Sequence, residues 1–238
     1  RVAPERPLGY WGRPNANEVI GNHPLMASVA PGRIGANTGN NARFVRLFAE
    51  VARHAVLSVR TDERLPVSSS FRWGPYVLGA RGRAWCEPLS TVIRAKCDLL
   101  ELRLSAEYRY GTAGVNWKIC NSDYYFREGV AFTCLGDEFS ARLHTYRSIF
   151  DAKGSSVFAS NRDANADLLC TLNSSVSRRI LRSLNPGLDF QVSDINRLPV
   201  VLIDSASDTV VRIRRAFEEH ERHRESSVEY RRPGPSPW

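Results

Sequence analysis

A chain of 238 residues can bury a substantial core, as one large domain or two small ones. Its 33 Lys and Arg against 25 Asp and Glu leave a net charge of +8, a balance that favours polyanionic partners and supplies sequence-independent affinity for phosphates. No run of about 18 apolar residues occurs, which excludes a transmembrane helix.

The chain opens on Arg1 with no visible signal peptide, and it reads as a fragment cut at both ends or a processed piece. Five cysteines, Cys86, Cys97, Cys120, Cys134 and Cys170, form no Cys-x-x-Cys pair, and no His stands at zinc-finger spacing from them. They are expected to be reduced core thiols of a cytoplasmic protein, and no metal site is expected.

Residues 1–40 are rich in Gly, Pro and Asn and read as loop, with Pro7-Leu8-Gly9-Tyr10-Trp11 as an aromatic anchor. Residues 42–56 leave two conformations open. Phe44, Leu47, Phe48, Val51 and Ala55 make a helical stripe, whereas Val45, Leu47, Ala49 and Val51 alternate; the helical period is the stronger. Residues 70–135 read as β-rich, because Trp73, Tyr76, Val77, Trp85, Val92, Ile93, Tyr108, Tyr110, Trp117, Ile119, Phe126, Val130 and Phe132 arrive in short runs between turns. Ile149-Phe150 and Val157-Phe158 predict two more strands around a Lys-Gly-Ser-Ser turn.

The period then changes. Leu168, Leu169, Leu172, Val176, Ile180, Leu181 and Leu184 stand at helical spacing, with Asn165 as the expected first cap. Asn173-Ser174-Ser175 is placed to end one helix and cap the next, and Asn185-Pro186-Gly187 to stop the second. A last helix with mixed Arg and Glu is expected over 208–224, before a polar, Pro-rich tail. The class is mixed α/β of the α+β kind, a β-rich domain followed by a helical segment.

No Gly-x-Gly-x-x-Gly, phosphate loop or Gly-x-Ser-x-Gly occurs, and His23, His54, His144, His220 and His223 are dispersed. A free-standing enzyme is therefore the weakest reading. What the turn-rich segments do hold is a set of groups suited to nucleic acid. Arg can pair with guanine and Asn with adenine, while Lys, Arg and Ser hold phosphates. Arg72, Arg81, Arg83, Asn116, Lys118, Asn121, Ser122, Arg127, Arg142 and Arg147 are of this kind.

A series of motifs adds to this reading by its order and spacing. Gly35-Ala36-Asn37-Thr38-Gly39-Asn40-Asn41-Ala42-Arg43-Phe44-Val45-Arg46 is the most specific, followed by Trp73-Gly74-Pro75-Tyr76, Gly79 and Trp85. Then come Gly114-Val115-Asn116-Trp117, Ser122, Arg142, the Ile149–Ser156 stretch, Leu172-Asn173-Ser174, Leu184-Asn185-Pro186, Phe190–Ile195 and Leu198-Pro199. Together they resemble the target-recognition, C-terminal region of adenine-specific DNA methyltransferases of the PglX/BrxX type from BREX phage defence, and of Eco57I-like restriction-modification methylases. The likeness covers most of residues 7–235. Ala80 departs from it where a second Gly is usual, and Asn40 where Asp is common.

The resemblance implies a strand for the first half of residues 42–56. It also implies a protein that grips duplex DNA, reads a short site and presents an adenine to a methyltransferase domain earlier in the same parent chain. S-adenosylmethionine would be bound there and no cofactor here. The family's (Asn/Asp)-Pro-Pro-(Tyr/Phe) loop is missing, and Asn185-Pro186-Gly187-Leu188, the nearest match, reads as a helix stop. The implied organisation is a loop-rich leading segment at 1–40, a DNA target-recognition domain at 41–203, and a charged helix with a Pro-rich tail at 204–238.

Lys118, Arg142 and Arg147 are the first expected DNA contacts, with Asn116 and Ser122 beside them and Arg72 further off. Thr38, Asn40, Asn41 and Arg43 are the second group. Asn173, Ser174, Asn185 and Gln191 are expected to organise helix ends instead. The alternative is a protein-interaction or specificity subunit of a defence complex with no catalysis of its own, built on the aromatics around Trp11, Trp73 and Trp85 and on the charged helix.

Overall fold

The computed structural model describes residues 22–65, 71–79, 83–136, 138–160, 164–185 and 187–234. Trp11 and its neighbours, Ala80, Arg81, Pro186 and the last residues of the Pro-rich tail lie outside them. Eight short strands are described: β1 (Val45–Leu47), β2 (Trp73–Val77), β3 (Trp85–Glu87), β4 (Thr91–Arg94), β5 (Val130–Phe132), β6 (Ala141–His144), β7 (Ile149–Phe150) and β8 (Ser156–Val157). The helices are α1 (Met26–Val29), α2 (Asn41–Phe44), α3 (Lys96–Lys118), α4 (Ala164–Asn173), α5 (Ser175–Leu184), α6 (Val192–Ile195) and α7 (Ala206–His223). The result is the expected α+β class, with a helical C-terminal segment.

The strands form two mixed sheets of four, ordered β1-β4-β2-β7 and β3-β6-β5-β8. In the first, β4 pairs antiparallel with both β1 and β2, and β7 joins β2 in parallel, with Tyr76 opposite Ile149. In the second, β3 runs parallel to β6, with Trp85 opposite Arg142, and β5 is antiparallel to β6 and β8. The strands flanking the Lys-Gly-Ser-Ser turn thus never pair with each other. The turn carries the chain from one sheet to the other.

Burial on both faces explains why the strands read as near-continuous apolar runs. One core gathers Phe132, Leu143 and Val157 of the second sheet with Leu168, Leu169 and Leu172 of α4, Ile180 and Leu181 of α5, and Ala206 and Val210 of α7. A second core joins Phe44, Tyr76, Ile93, Leu102, Ile119, Ile149 and Phe150. Phe150 stands at its centre, edge-on to Tyr125 at 5.5 Å and tilted against Phe158 at 5.2 Å. The final helix is also held by Arg60, which pairs with Glu218 of α7 and, at 3.3 Å, with Glu229 beyond it.

Four local expectations change. Residues 96–118, read as strand, form the long helix α3, bent at Gly111, whose φ of +71° suits the residue without a Cβ. The aromatics prompted the strand reading, but Tyr108, Tyr110 and Trp117 all point to solvent, while Leu99, Leu102 and Ala106 at helical spacing enter the core. Residues 42–56 are both things in turn: a helical turn to Phe44, a strand to Leu47, then 3₁₀ turns. Asn165 lies within α4, buried, and is not its cap. Cys97 is exposed and so is not core filler, whereas Cys86 is buried, its thiol pushed up to about 11 by burial. Ser174 does cap α5, its Oγ accepting from the Ser177 amide at 3.1 Å.

Phe150→Ala is expected to destabilise the fold by about 3–5 kcal/mol, through lost burial and the cavity left behind. A chemical denaturation curve measures this, and a loss below about 1 kcal/mol would contradict the placing of Phe150 at the centre of the core.

Candidate functional site

Two segments distant in sequence build a surface cleft. The turn from Thr38 to Phe44 forms one wall, and Leu102, Ser105, Ala106, Arg109, Tyr110 and Lys118 of α3 form the other, around about 330 Å³ of space. The turn is held to the helix end by the backbone, since Asn37 N–H donates to the Lys118 carbonyl at 2.8 Å. Gly39 takes a φ of +64°, and any Cβ there would stand 3.2 Å from Lys118 Nζ. Asn40 caps α2, its side chain accepting from the Arg43 amide at 3.1 Å. Thr38 donates its hydroxyl to Asn41 and accepts from the Asn40 amide at 3.2 Å, which fixes the turn.

Among the described residues the cleft is lined by three cations, Arg43, Arg109 and Lys118, and by no carboxylate. Arg43 donates to Glu101 at 3.2 Å, and Arg94 shares the same carboxylate. Lys118 differs. Its Nζ lies 4.7 Å from the Trp117 ring and 5.3 Å from the Tyr110 ring, and those two rings meet edge to face at 5.7 Å. Among the described residues neither Lys118 nor Arg109 forms an ion pair. Tyr108, Tyr110 and Trp117 stand exposed on the same helix. Unpaired cations beside open aromatic faces can hold a phosphate and stack a base.

Four of the expected residues therefore meet in one place: Thr38, Asn40, Arg43 and Lys118, with Asn41 bonded to Thr38. Arg109 was missed, although its position between Tyr108 and Tyr110 interleaves charge with aromatics. The other expected residues lie elsewhere. Arg72 is exposed just before β2, and Asn116 is exposed on α3 outside the cleft lining. Ser122 opens a 3₁₀ turn.

Two first choices have structural posts instead. Arg142 is wholly buried on β6, paired with Glu87 and donating to the Leu78 carbonyl at 2.8 Å. A side chain with no accessible surface cannot meet DNA, so that expectation is corrected. Arg147 commits its guanidinium to backbone, donating to the Glu63 carbonyl at 2.6 and 2.8 Å and to the Phe126 carbonyl at 3.0 Å. It clamps two loops.

Asn185 likewise spends its amide locally. It donates to the Asp189 carbonyl at 2.7 Å and accepts from the Gly187 amide at 3.0 Å, as a helix stop does.

No family model matches the chain. It is similar to the adenine-specific methyltransferase PglX of Lacticaseibacillus casei (strain Zhang), 27% identical over 199 residues, covering 83% of this chain and 16% of that protein. It is similar in the same way to the adenine-specific methyltransferase BrxX of Escherichia coli O9:H4 (strain HS), 26% identical over 201 residues, 83% of this chain and 15% of that protein. The resemblance read from the motifs is thus found in two relatives, and the chain spans about one-sixth of the length of each.

Beside Arg142 lies His144, fully buried, its Nε2 3.0 Å from Ser156 Oγ. Burial, helped by the Arg142 charge, lowers its pKa from 6.5 to about 4. The folded state therefore keeps the imidazole neutral while the unfolded chain takes up a proton below pH 6.5. Stability is expected to fall between pH 6.5 and 4, by up to roughly 3 kcal/mol from this group. Denaturation curves at pH 7.5, 5.5 and 4.5 check this, and His144→Gln should flatten the profile relative to the unaltered chain. Parallel profiles for the two would rule His144 out as the source.

Proposed function

We propose that this chain is the DNA target-recognition part of a site-specific adenine N6 methyltransferase of the phage-defence or restriction-modification type. It binds duplex DNA and positions the target adenine. In this reading residues 41–203, with the 38–40 turn, form the recognition unit, and the methyl transfer and the S-adenosylmethionine site belong to another domain of a longer parent protein in the cytoplasm. A methylase that flips its base pays a few kcal/mol in lost stacking and pairing, so a separate surface that grips the rest of the site is physically useful.

One observation carries the reading: a cleft at which the exposed Arg109 and the buried Lys118 stand without ion-pair partners among the described residues, beside exposed aromatic rings. The similarity to two adenine-specific methyltransferases supports it. The interaction-subunit reading is weakened, because Trp73 is buried and Trp85 packs against the core.

Fluorescence anisotropy with a short duplex tests the proposal. The chain is expected to bind, with log K falling steeply against log[salt]. Arg109→Ala, which touches no core, is expected to weaken binding several-fold and to reduce the salt slope by about 0.9, as the loss of one phosphate contact does. Lys118→Gln should do the same with unchanged circular dichroism. No binding at 50 mM salt, or wild-type affinity in both variants, would sink the reading.

A further inference from the structure

Helix α5 carries a second basic surface that the cleft does not explain. Its sequence, Ser-Val-Ser-Arg-Arg-Ile-Leu-Arg-Ser-Leu, holds three arginines and no carboxylate. Ser177, Ile180 and Leu181 turn to the core, whereas Arg178, Arg179 and Arg182 are exposed. At 3.6 residues per turn the three arginines share the side opposite the buried one. Among the described residues none of the three forms an ion pair, and Arg178 alone donates to protein, to the Asn173 carbonyl at 3.2 Å.

Helix stability does not account for this pattern. Arg178 sits in the first turn, where the helix dipole disfavours a cation. Arg178 and Arg182 are like charges four residues apart, which destabilise a helix. The helix is nevertheless firmly placed. Ser174 caps it, and at the junction with α4 the Asn173 amide clasps Ala141 of β6, accepting from its N–H and donating to its carbonyl, both at 2.9 Å. A rigid basic face that works against its own helix suits a polyanion, and DNA is the polyanion the cleft already points to.

We propose that the exposed face of α5 is a second contact to the backbone of duplex DNA, with Arg178, Arg179 and Arg182 each holding phosphate. This rests on the DNA-recognition reading. The two contacts stand on different cores, since Ile180 and Leu181 pack with the second sheet and Phe44 and Leu102 with the first. Two separated grips fix the register of a duplex in a way that one cannot.

The test is the triple variant Arg178→Gln, Arg179→Gln, Arg182→Gln of the 238-residue chain, with folding checked by its melting curve. Binding to two unrelated duplexes is measured between 50 and 300 mM salt. The expected result is at least a tenfold loss of affinity at low salt on both duplexes, with the salt slope reduced by about 2–3. Wild-type affinity and slope in the triple variant, while Arg109→Ala still weakens binding, would overturn the α5 contact and leave the DNA reading standing. A loss confined to one duplex would overturn the backbone assignment in favour of base reading. A chain that binds neither duplex overturns the DNA reading, and this inference with it.

Discussion

Arg142 lies wholly inside the protein, its guanidinium held between the Glu87 carboxylate and the Leu78 carbonyl. Taking two charges out of water costs several kcal/mol each, and the cost is offset only while both partners stay in place. That requirement fixes the register of β3 against β6, which places Glu87 within reach, and it ties the chain leaving β2 of the first sheet to a strand of the second. Burial raises the Glu87 carboxyl from its ordinary range while the guanidinium opposes that shift. The neutral state of His144 follows from the same arrangement, since two residues along β6 it is fully buried and lies under the influence of the Arg142 charge.

The cleft depends on the first sheet in turn. The Tyr76 hydroxyl on β2 lies 2.5 Å from the Asp151 carboxylate and 3.1 Å from the Ala36 carbonyl. Ala36 also donates to the Phe150 carbonyl and accepts from Ala152, both within hydrogen-bond distance at 2.8 and 3.0 Å. The segment before the Thr38 turn is thereby stitched to β7 and to the turn that follows it. From there the chain meets the end of α3, and Lys118 is delivered beside Gly39. A rigid base under a short, polar turn is the arrangement in which loop residues can be changed without disturbing the core.

Charge partnership sorts the basic residues better than type or position does. Arg142 and Arg147 serve the fold because a carboxylate or backbone carbonyls engage them. Arg43 stands between the two classes, shared with Glu101 at the cleft edge. Arg109 at the cleft, and Arg179 and Arg182 on α5, are exposed and form no ion pair among the described residues, whereas Lys118 is unpaired but buried under its aromatic neighbours. Two basic surfaces on two cores are what a protein with a net charge of +8 shows when that charge is arranged rather than scattered.

The sequence by itself determined the mixed class, the strands flanking the Lys-Gly-Ser-Ser turn, the α4–α5 pair with its Ser174 cap and the last helix, because period and capping chemistry are local properties. It also carried the likeness to the adenine-specific methyltransferases, through motifs whose order survives at 26–27% identity. It could not place α3, since exposed Tyr108, Tyr110 and Trp117 imitate strand residues until burial shows which side of the helix is wet. Nor could it separate Lys118 from Arg142. Both are basic residues in stretches read as turn-rich, and both end up buried; only the tertiary structure decides which one finds a carboxylate and which one is left beside aromatic rings at a cleft, because that depends on segments brought together from distant parts of the chain.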